Sequence, residues 1–321
     1  MPAAFSGNPL KAEGGVLVSI CASHILGKSY RENAMTRPLI HAFFDEPTKT
    51  VTYLVIDPAK REAAIVDPVF DYDHASGKAS VASADAVLQK AQAENCKVRY
   101  VLETHVHADH LSAAPYIKLK TGAKVVIGER IREVQAIFRP VFNAMDVSGS
   151  GAEFDHLAKD GEILPLGELH IEVMATPGHT PACLSYKMAD AVFVGDTLFM
   201  PDYGTARADF PGGDAADLYR SIRRILALPE ATRLFMCHDY LPKGGRSAYA
   251  WETTVGDERT SNIHVHDGVN EADFVSMRQA RDKSLSAPAL LLPSIQVNMR
   301  AGQLPPADAN GIHYIRVPIS L

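Results

Sequence analysis

Apolar residues come along this chain in short runs broken by turn residues, and three such runs open the pattern. Ile40–Phe44, Val51–Ile56 and Ala63–Val66 read as strands, separated by Glu46–Pro47 and Asp57–Pro58. The period then changes. Val81, Ala84, Leu88 and Ala91 share one face of a helix over Val81–Ala93, with Ser80, or Ser83 if the first turn frays, as its N-cap and an end near Asn95. A strand over Val98–Leu102, a helix over Ala113–Leu119 and a strand over Lys124–Ile127 follow, then strands at His170–Ala175, Leu184–Lys187 and Ala191–Val194. Asp214–Leu228 is strongly amphipathic, with Leu218, Ile222, Ile225 and Leu226 on one face, and Arg233–Cys237 is a further buried strand. Gly256 breaks Trp251–Ser261 into a turn or a short helix. Strands first, then strand–helix units, then strands and helices again predict two packed sheets flanked by helices, a layered α/β architecture.

Length and charge narrow the class. At 321 residues the chain suits one large domain with extensions. A net charge of −6 gives no reason to expect nucleic acid or an anionic membrane as partner. The longest apolar stretch, Gly15–Gly27, has 13 residues, short of the roughly 18 a membrane helix needs. No small-x-small cleavage site follows it, which disfavours a secretory leader. Residues 1–34 hold one Arg and two Glu, which disfavours a mitochondrial presequence. Residues 1–35 are therefore expected to be a flexible extension, or to precede a start at Met35. Cys21, Cys96, Cys183 and Cys237 form no C-x-x-C pair and no disulfide framework, so reduced thiols and a cytoplasmic setting are expected. Cys183 and Cys237 read as small buried residues at strand ends.

The chemistry concentrates at strand ends. Thr104-His105-Val106-His107-Ala108-Asp109-His110 follows the strand Val98–Leu102, and two His at i and i+2 of an extended segment point the same way. His179 follows another strand on the turn Thr176-Pro177-Gly178-His179-Thr180; Asp196 ends a third strand after Gly195, and His238 ends a fourth. Any one of these last three alone is more often structural, whereas the His-rich segment is a metal signature in itself, and together they converge on metal binding. Two uses of the seven remain open on residue types. A binuclear site takes His105, His107 and His179 for one ion and Asp109, His110 and His238 for the other, with Asp196 bridging, as suits a hydrolase. A mononuclear site takes two His and one carboxylate and leaves three positions open, as suits Fe(II) and oxygen.

The set HxHxDH, GHT, GD and a late His resembles the metallo-β-lactamase superfamily over residues 36–265, which implies an αββα sandwich with a metal site at one edge, and residues 266–321 as a C-terminal extension packing on it. The finer resemblance is to persulfide dioxygenases, bacterial type II, through Gly195–Phe199, Gly204–Phe210, Cys237–Tyr240, Thr253–Asn262 and the tail Val297–Pro306. Pro201-Asp202-Tyr203-Gly204 departs from the Gly-Cys-Gly stretch of mitochondrial-type members. The resemblance implies one Fe(II) per chain held by His105, His179 and Asp196, with His107, Asp109, His110 and His238 as catalytic groups around it, and glutathione persulfide and O2 as substrates. Glutathione's two carboxylates call for cations, with Arg207 first, then Arg300, Lys243 and Arg246, and Tyr240 facing the same side as His238. Arg207 equally suits an ion pair with Asp209 or Asp202. The runner-up is a binuclear thioester hydrolase of the glyoxalase II kind. A homodimer is a further expectation.

Overall fold

The computed structural model describes residues 37–242 and 244–319. The expected extension over residues 1–35, Cys21 and the candidate Lys243 lie outside the described residues. In chain order the first half runs β1 (Leu39–Asp45), β2 (Thr50–Ile56), β3 (Glu62–Val66), β4 (Val69–Asp73), β5 (Lys78–Ser80), α1 (Ala82–Ala93), β6 (Lys97–Leu102), β7 (Leu111–Ser112), α2 (Ala114–Thr121), β8 (Lys124–Gly128), α3 (Ile131–Phe142) and β9 (His156–Ala158). The second half runs β10 (Ile163–Leu166), β11 (Leu169–Ala175), β12 (Leu184–Met188), β13 (Ala191–Phe193), α4 (Ala215–Leu226), β14 (Arg233–Phe235), β15 (Glu252–Thr254), α5 (Val255–Ser261), α6 (Glu271–Asp282) and α7 (Leu291–Asn298).

Two six-stranded sheets result, in the orders β1-β2-β3-β6-β8-β9 and β10-β11-β12-β13-β14-β15, with a small β5-β4-β7 sheet beside them. The alternation of β2 shows why they stack. Val51, Tyr53 and Val55 face inward onto Ile171, Val173, Tyr186 and Phe193 of the second sheet. Leu54 and Ile56 point outward, into a cluster with Ala84, Val87, Ile117 and Val134 from α1, α2 and α3. On the other side Leu218, Ile222 and Ile225 of α4 join Phe274 of α6 against Val192 and Leu234. Helices on both outer faces of two sheets make the αββα sandwich.

Local chemistry explains the boundaries. Asp214 caps α4, its carboxylate accepting from the amides of Ala216 and Asp217 at 2.8 Å each. Thr254 does the same for α5, accepting from Asp257 N at 3.1 Å. The expected cap of α1 differs. Neither Ser80 nor Ser83 caps it, because Asp71 in β4 takes the hydroxyl of Ser80 (3.1 Å), the hydroxyl of Ser83 (2.6 Å) and the amide of Ser83 (3.1 Å). A carboxylate from a neighbouring strand thus supplies the acceptor at the positive end of the helix.

Candidate metal centre

The ligand-type residues converge at the edge where the two sheets are tied together by Leu184 N donating to Thr104 O at 2.8 Å. Immediately after β6, Thr104 is pinned to the buried Asp67, whose carboxylate accepts from Thr104 N (2.7 Å), Thr104 Oγ1 (2.9 Å) and His107 Nε2 (2.9 Å). The Thr104 hydroxyl spends its hydrogen on Asp67, so it accepts at its other contact, from His105 Nδ1–H at 3.0 Å. That places the proton of His105 on Nδ1 and leaves the Nε2 lone pair bare. The same logic holds around the site. Nδ1 of His179 donates to Arg207 O (2.8 Å), Nδ1 of His110 to Leu111 O (3.1 Å) and Nδ1 of His238 to Lys49 O (3.2 Å). His107 is reversed, with Nε2 on Asp67 and Nδ1 bare. Each imidazole is held by one nitrogen and offers the other, which is how proteins orient metal ligands.

The offered atoms converge. Asp196 Oδ2 lies 3.9 Å from His105 Nε2 and 3.7 Å from His179 Nε2, and the ligand atoms of His105, His179 and Asp196 all fall within 4.8 Å of one another. His107, Asp109 and His110 form a second such group. His238 Nε2 is 2.9 Å from Asp109 Oδ2 and 3.4 Å from Asp196 Oδ1. His105 Nε2, His107 Nδ1, His110 Nε2 and Asp196 Oδ1 are buried without a hydrogen-bond partner among the described residues, while His238 Nε2 faces the Asp109 carboxylate. Buried polar atoms seldom stay unpaired, and bare atoms gathered in these two neighbouring groups fit metal binding. Burial, with His107 nearby, pushes the pKa of His110 down to about 3, which keeps it neutral as a ligand must be. Burial also opposes charge on His238, but the carboxylates of Asp109 and Asp196 outweigh it and hold that pKa up at about 9.

Backbone freedom at two glycines makes the convergence possible. Gly178 sits at φ +140°, and a Cβ there would lie 2.3 Å from the Cα of Leu218 at the start of α4; Gly195 sits at φ +53° against Thr104. Gly178→Ala is expected to destabilise the chain by roughly 3 kcal/mol, from overpacking and backbone strain, and to lower metal content because His179 must move. Denaturant midpoints and metal analysis of the purified variant check this; wild-type values for both would refute it.

A cavity of about 430 Å³ opens onto this edge, within the roughly 300–1,000 Å³ of small-molecule sites. Asp109, His179 and Asp196 contribute to its lining, as do Phe199, Tyr203 and Tyr240. Tyr240 stacks on His238 with ring centroids 5.7 Å apart. Arg207 is also on the wall, with its guanidinium engaged twice by Asp209 (2.6 and 2.8 Å) and once by Ser286 O (2.8 Å). Arg300 is not brought here. It is buried beside α3, where Asp146 takes it at 2.6 and 2.8 Å, and it lines a separate cavity. Arg246 likewise pairs away from the cavity, with Asp202 and Asp239. Two residues of the site were not singled out from sequence. Asp67, in Val66-Asp67-Pro68, looks like any turn carboxylate. Asn298 in α7 donates to the carbonyls of His107 (2.9 Å) and His110 (2.8 Å) and accepts from Ser112 N (2.9 Å), so the C-terminal segment holds the ligand loop.

Two sheets carrying histidines and aspartates at one shared edge define a metal-dependent enzyme of the αββα class. The chain belongs to the metallo-β-lactamase superfamily, whose family model matches residues 46–238. It is 52% identical to a probable metallo-hydrolase of Burkholderia pseudomallei over 87% of this chain and 98% of that one. It is 44% identical to glyoxylase B2 of Dictyostelium discoideum, over 88% and 97%. It is 31% identical to the mitochondrial persulfide dioxygenase ETHE1 of Bos taurus, over 84% and 91%. The crystal structure of ETHE1 from Myxococcus xanthus superposes with a TM-score of 0.66 at 28% identity, covering 83% of this chain and all of that one. Among the described residues no helix is long and apolar enough to cross a membrane.

Proposed function

We propose that this chain is an iron-dependent persulfide dioxygenase, taking glutathione persulfide, O2 and water to glutathione and sulfite, with one iron per chain. The observation that carries this reading is the compact trio of His105, His179 and Asp196 beside a cavity with a cationic wall. Two imidazoles and one carboxylate leave open positions for both oxygen and a sulfur ligand. Bound iron supplies the one-electron chemistry that lets O2 react with sulfur. The protein's own part is positional. Arg207 O orients His179, Thr104 orients His105, and Phe199, Tyr203 and Tyr240 form an aromatic side of the cavity. Asp109 and His238, 2.9 Å apart beside Asp196, are placed to hold a proton near the reacting groups. The similarity to a named persulfide dioxygenase supports the reading.

A second reading, a binuclear thioester hydrolase, is favoured by the bare nitrogens of His107 and His110 grouped with Asp109, and by the names of two of the relatives above. The two separate in one experiment. Anaerobically iron-loaded chain should consume one O2 per glutathione persulfide and release sulfite, with about one iron per chain. Rapid hydrolysis of lactoylglutathione with no oxygen uptake, and about two metals per chain, would establish the hydrolase instead.

A further inference from the structure

The cavity wall carries four cationic side chains, and three of them are already occupied. Arg207 is held by Asp209 and Ser286 O. Arg278 is 1% exposed, with Nε on Asp282 (2.8 Å) and Nη1 on Thr205 O (3.0 Å). Lys49 donates to the hydroxyl of Tyr249 at 2.8 Å. Arg281, in the last turn of α6, is the exception. It is exposed, lines the same cavity as His179 and Asp196, and its guanidinium has no hydrogen bond or ion pair among the described residues. The acidic residues in the lining are Asp109 and Asp196, and both sit at the metal edge, so neither is placed to neutralise Arg281.

We infer that Arg281 is the anchor for a carboxylate of the thiol substrate, and that Arg207 is a structural cation holding the loop that orients His179. The inference deepens the proposed function, since it rests on a glutathione-derived substrate, but it does not depend on which reaction follows. A guanidinium with both edges free forms two parallel bonds to a carboxylate, whereas one already clamped by an aspartate offers little. The apolar segment after α6, with Leu285, Pro288 and Leu290 in the cavity wall, then lies beside the substrate's backbone while the sulfur end points at Asp196. Specificity follows: thiols with a free carboxylate are preferred over their esters.

The test is calorimetric titration of the full iron-loaded chain with glutathione and with its diethyl ester, using wild type, Arg281→Ala and Arg281→Lys. Wild type should bind the acid about tenfold or more tightly than the ester, and Arg281→Ala should erase that difference while leaving ester affinity unchanged. Arg281→Lys should restore part of it. Arg281→Ala binding glutathione as wild type does, or wild type treating acid and ester alike, overturns the assignment. Oxygen uptake is read separately. A chain that binds glutathione through Arg281 yet consumes no oxygen with its persulfide keeps this assignment and sinks the dioxygenase reading; if both stand, the variant raises KM and leaves kcat in place.

Discussion

Asp196→Ala should leave the chain folded, nearly free of metal and without measurable turnover. The carboxylate is the hub of the centre, with Oδ2 3.9 and 3.7 Å from the nitrogens of His105 and His179 and Oδ1 3.4 Å from His238. It is presented by the tight turn Gly195–Thr197 at the end of β13, so it cannot be replaced by a neighbour without moving a buried strand. Two imidazoles alone make a weak, incompletely charged site. Loss of activity beyond about 100-fold is expected, exceeding the roughly 10–100-fold that follows loss of a ligand's supporting hydrogen bond. His105→Ala and His179→Ala should match it. His110→Ala is the informative contrast: with a single iron on the trio it keeps its metal, whereas in a binuclear site it loses one of two. Iron analysis, oxygen uptake and far-ultraviolet circular dichroism on the same samples decide the matter. Full iron and full rate in Asp196→Ala would mean that the trio is not the metal site.

The parts legible in the sequence are those whose signal is local. The His105 and His107 rings lie 4.1 Å apart, but on a bent loop after β6 rather than on the extended segment expected, and an apolar run marked each of the four strands that precede a candidate ligand. The face Leu218, Ile222, Ile225 and Leu226 located α4 because a buried helix repeats every three or four residues. Where the signal was weak, elements were missed. β7 is two residues long and β5 three, too short to show a period. α3 does carry Ile131, Val134, Phe138 and Phe142 at helical spacing, but Pro140 interrupts the reading; it sits in the last turn, where the helix is about to end at Asn143 with φ 49°. Long-range partners were invisible for a different reason. Asp71 displaced the expected serine caps, Asn298 reached back from α7 to the ligand loop, and Arg300 spent its charge on Asp146. Nothing in a local window distinguishes an arginine that will be paired from one that will stay free, which is why Arg207 stood out in the sequence and Arg281 did not.

Asp67 is the position where stability and chemistry can be taken apart. It is 2% exposed and accepts from Thr104 twice and from His107 once. Asp67→Ala strands the amide of Thr104 and the imidazole of His107 in the interior, and removing one partner of such a buried pair costs about 3–5 kcal/mol. A large drop in the denaturant midpoint is therefore expected. Asp67→Asn should behave differently. Its oxygen, at the position of Oδ1, still accepts from Thr104 N and His107 Nε2, so most of the stability stays. Its amide nitrogen, at the position of Oδ2, donates to the Thr104 hydroxyl instead of accepting from it. That hydroxyl must then turn its own hydrogen toward His105 Nδ1, which pushes the ring proton onto Nε2, the nitrogen that faces Asp196. A protonated nitrogen cannot bind a metal, so affinity should fall by roughly 10–100-fold while the fold survives. Metal titration of both variants beside unfolding curves reads the two effects independently; an Asp67→Asn chain that binds metal as tightly as wild type would show that Thr104 does not set the tautomer of His105.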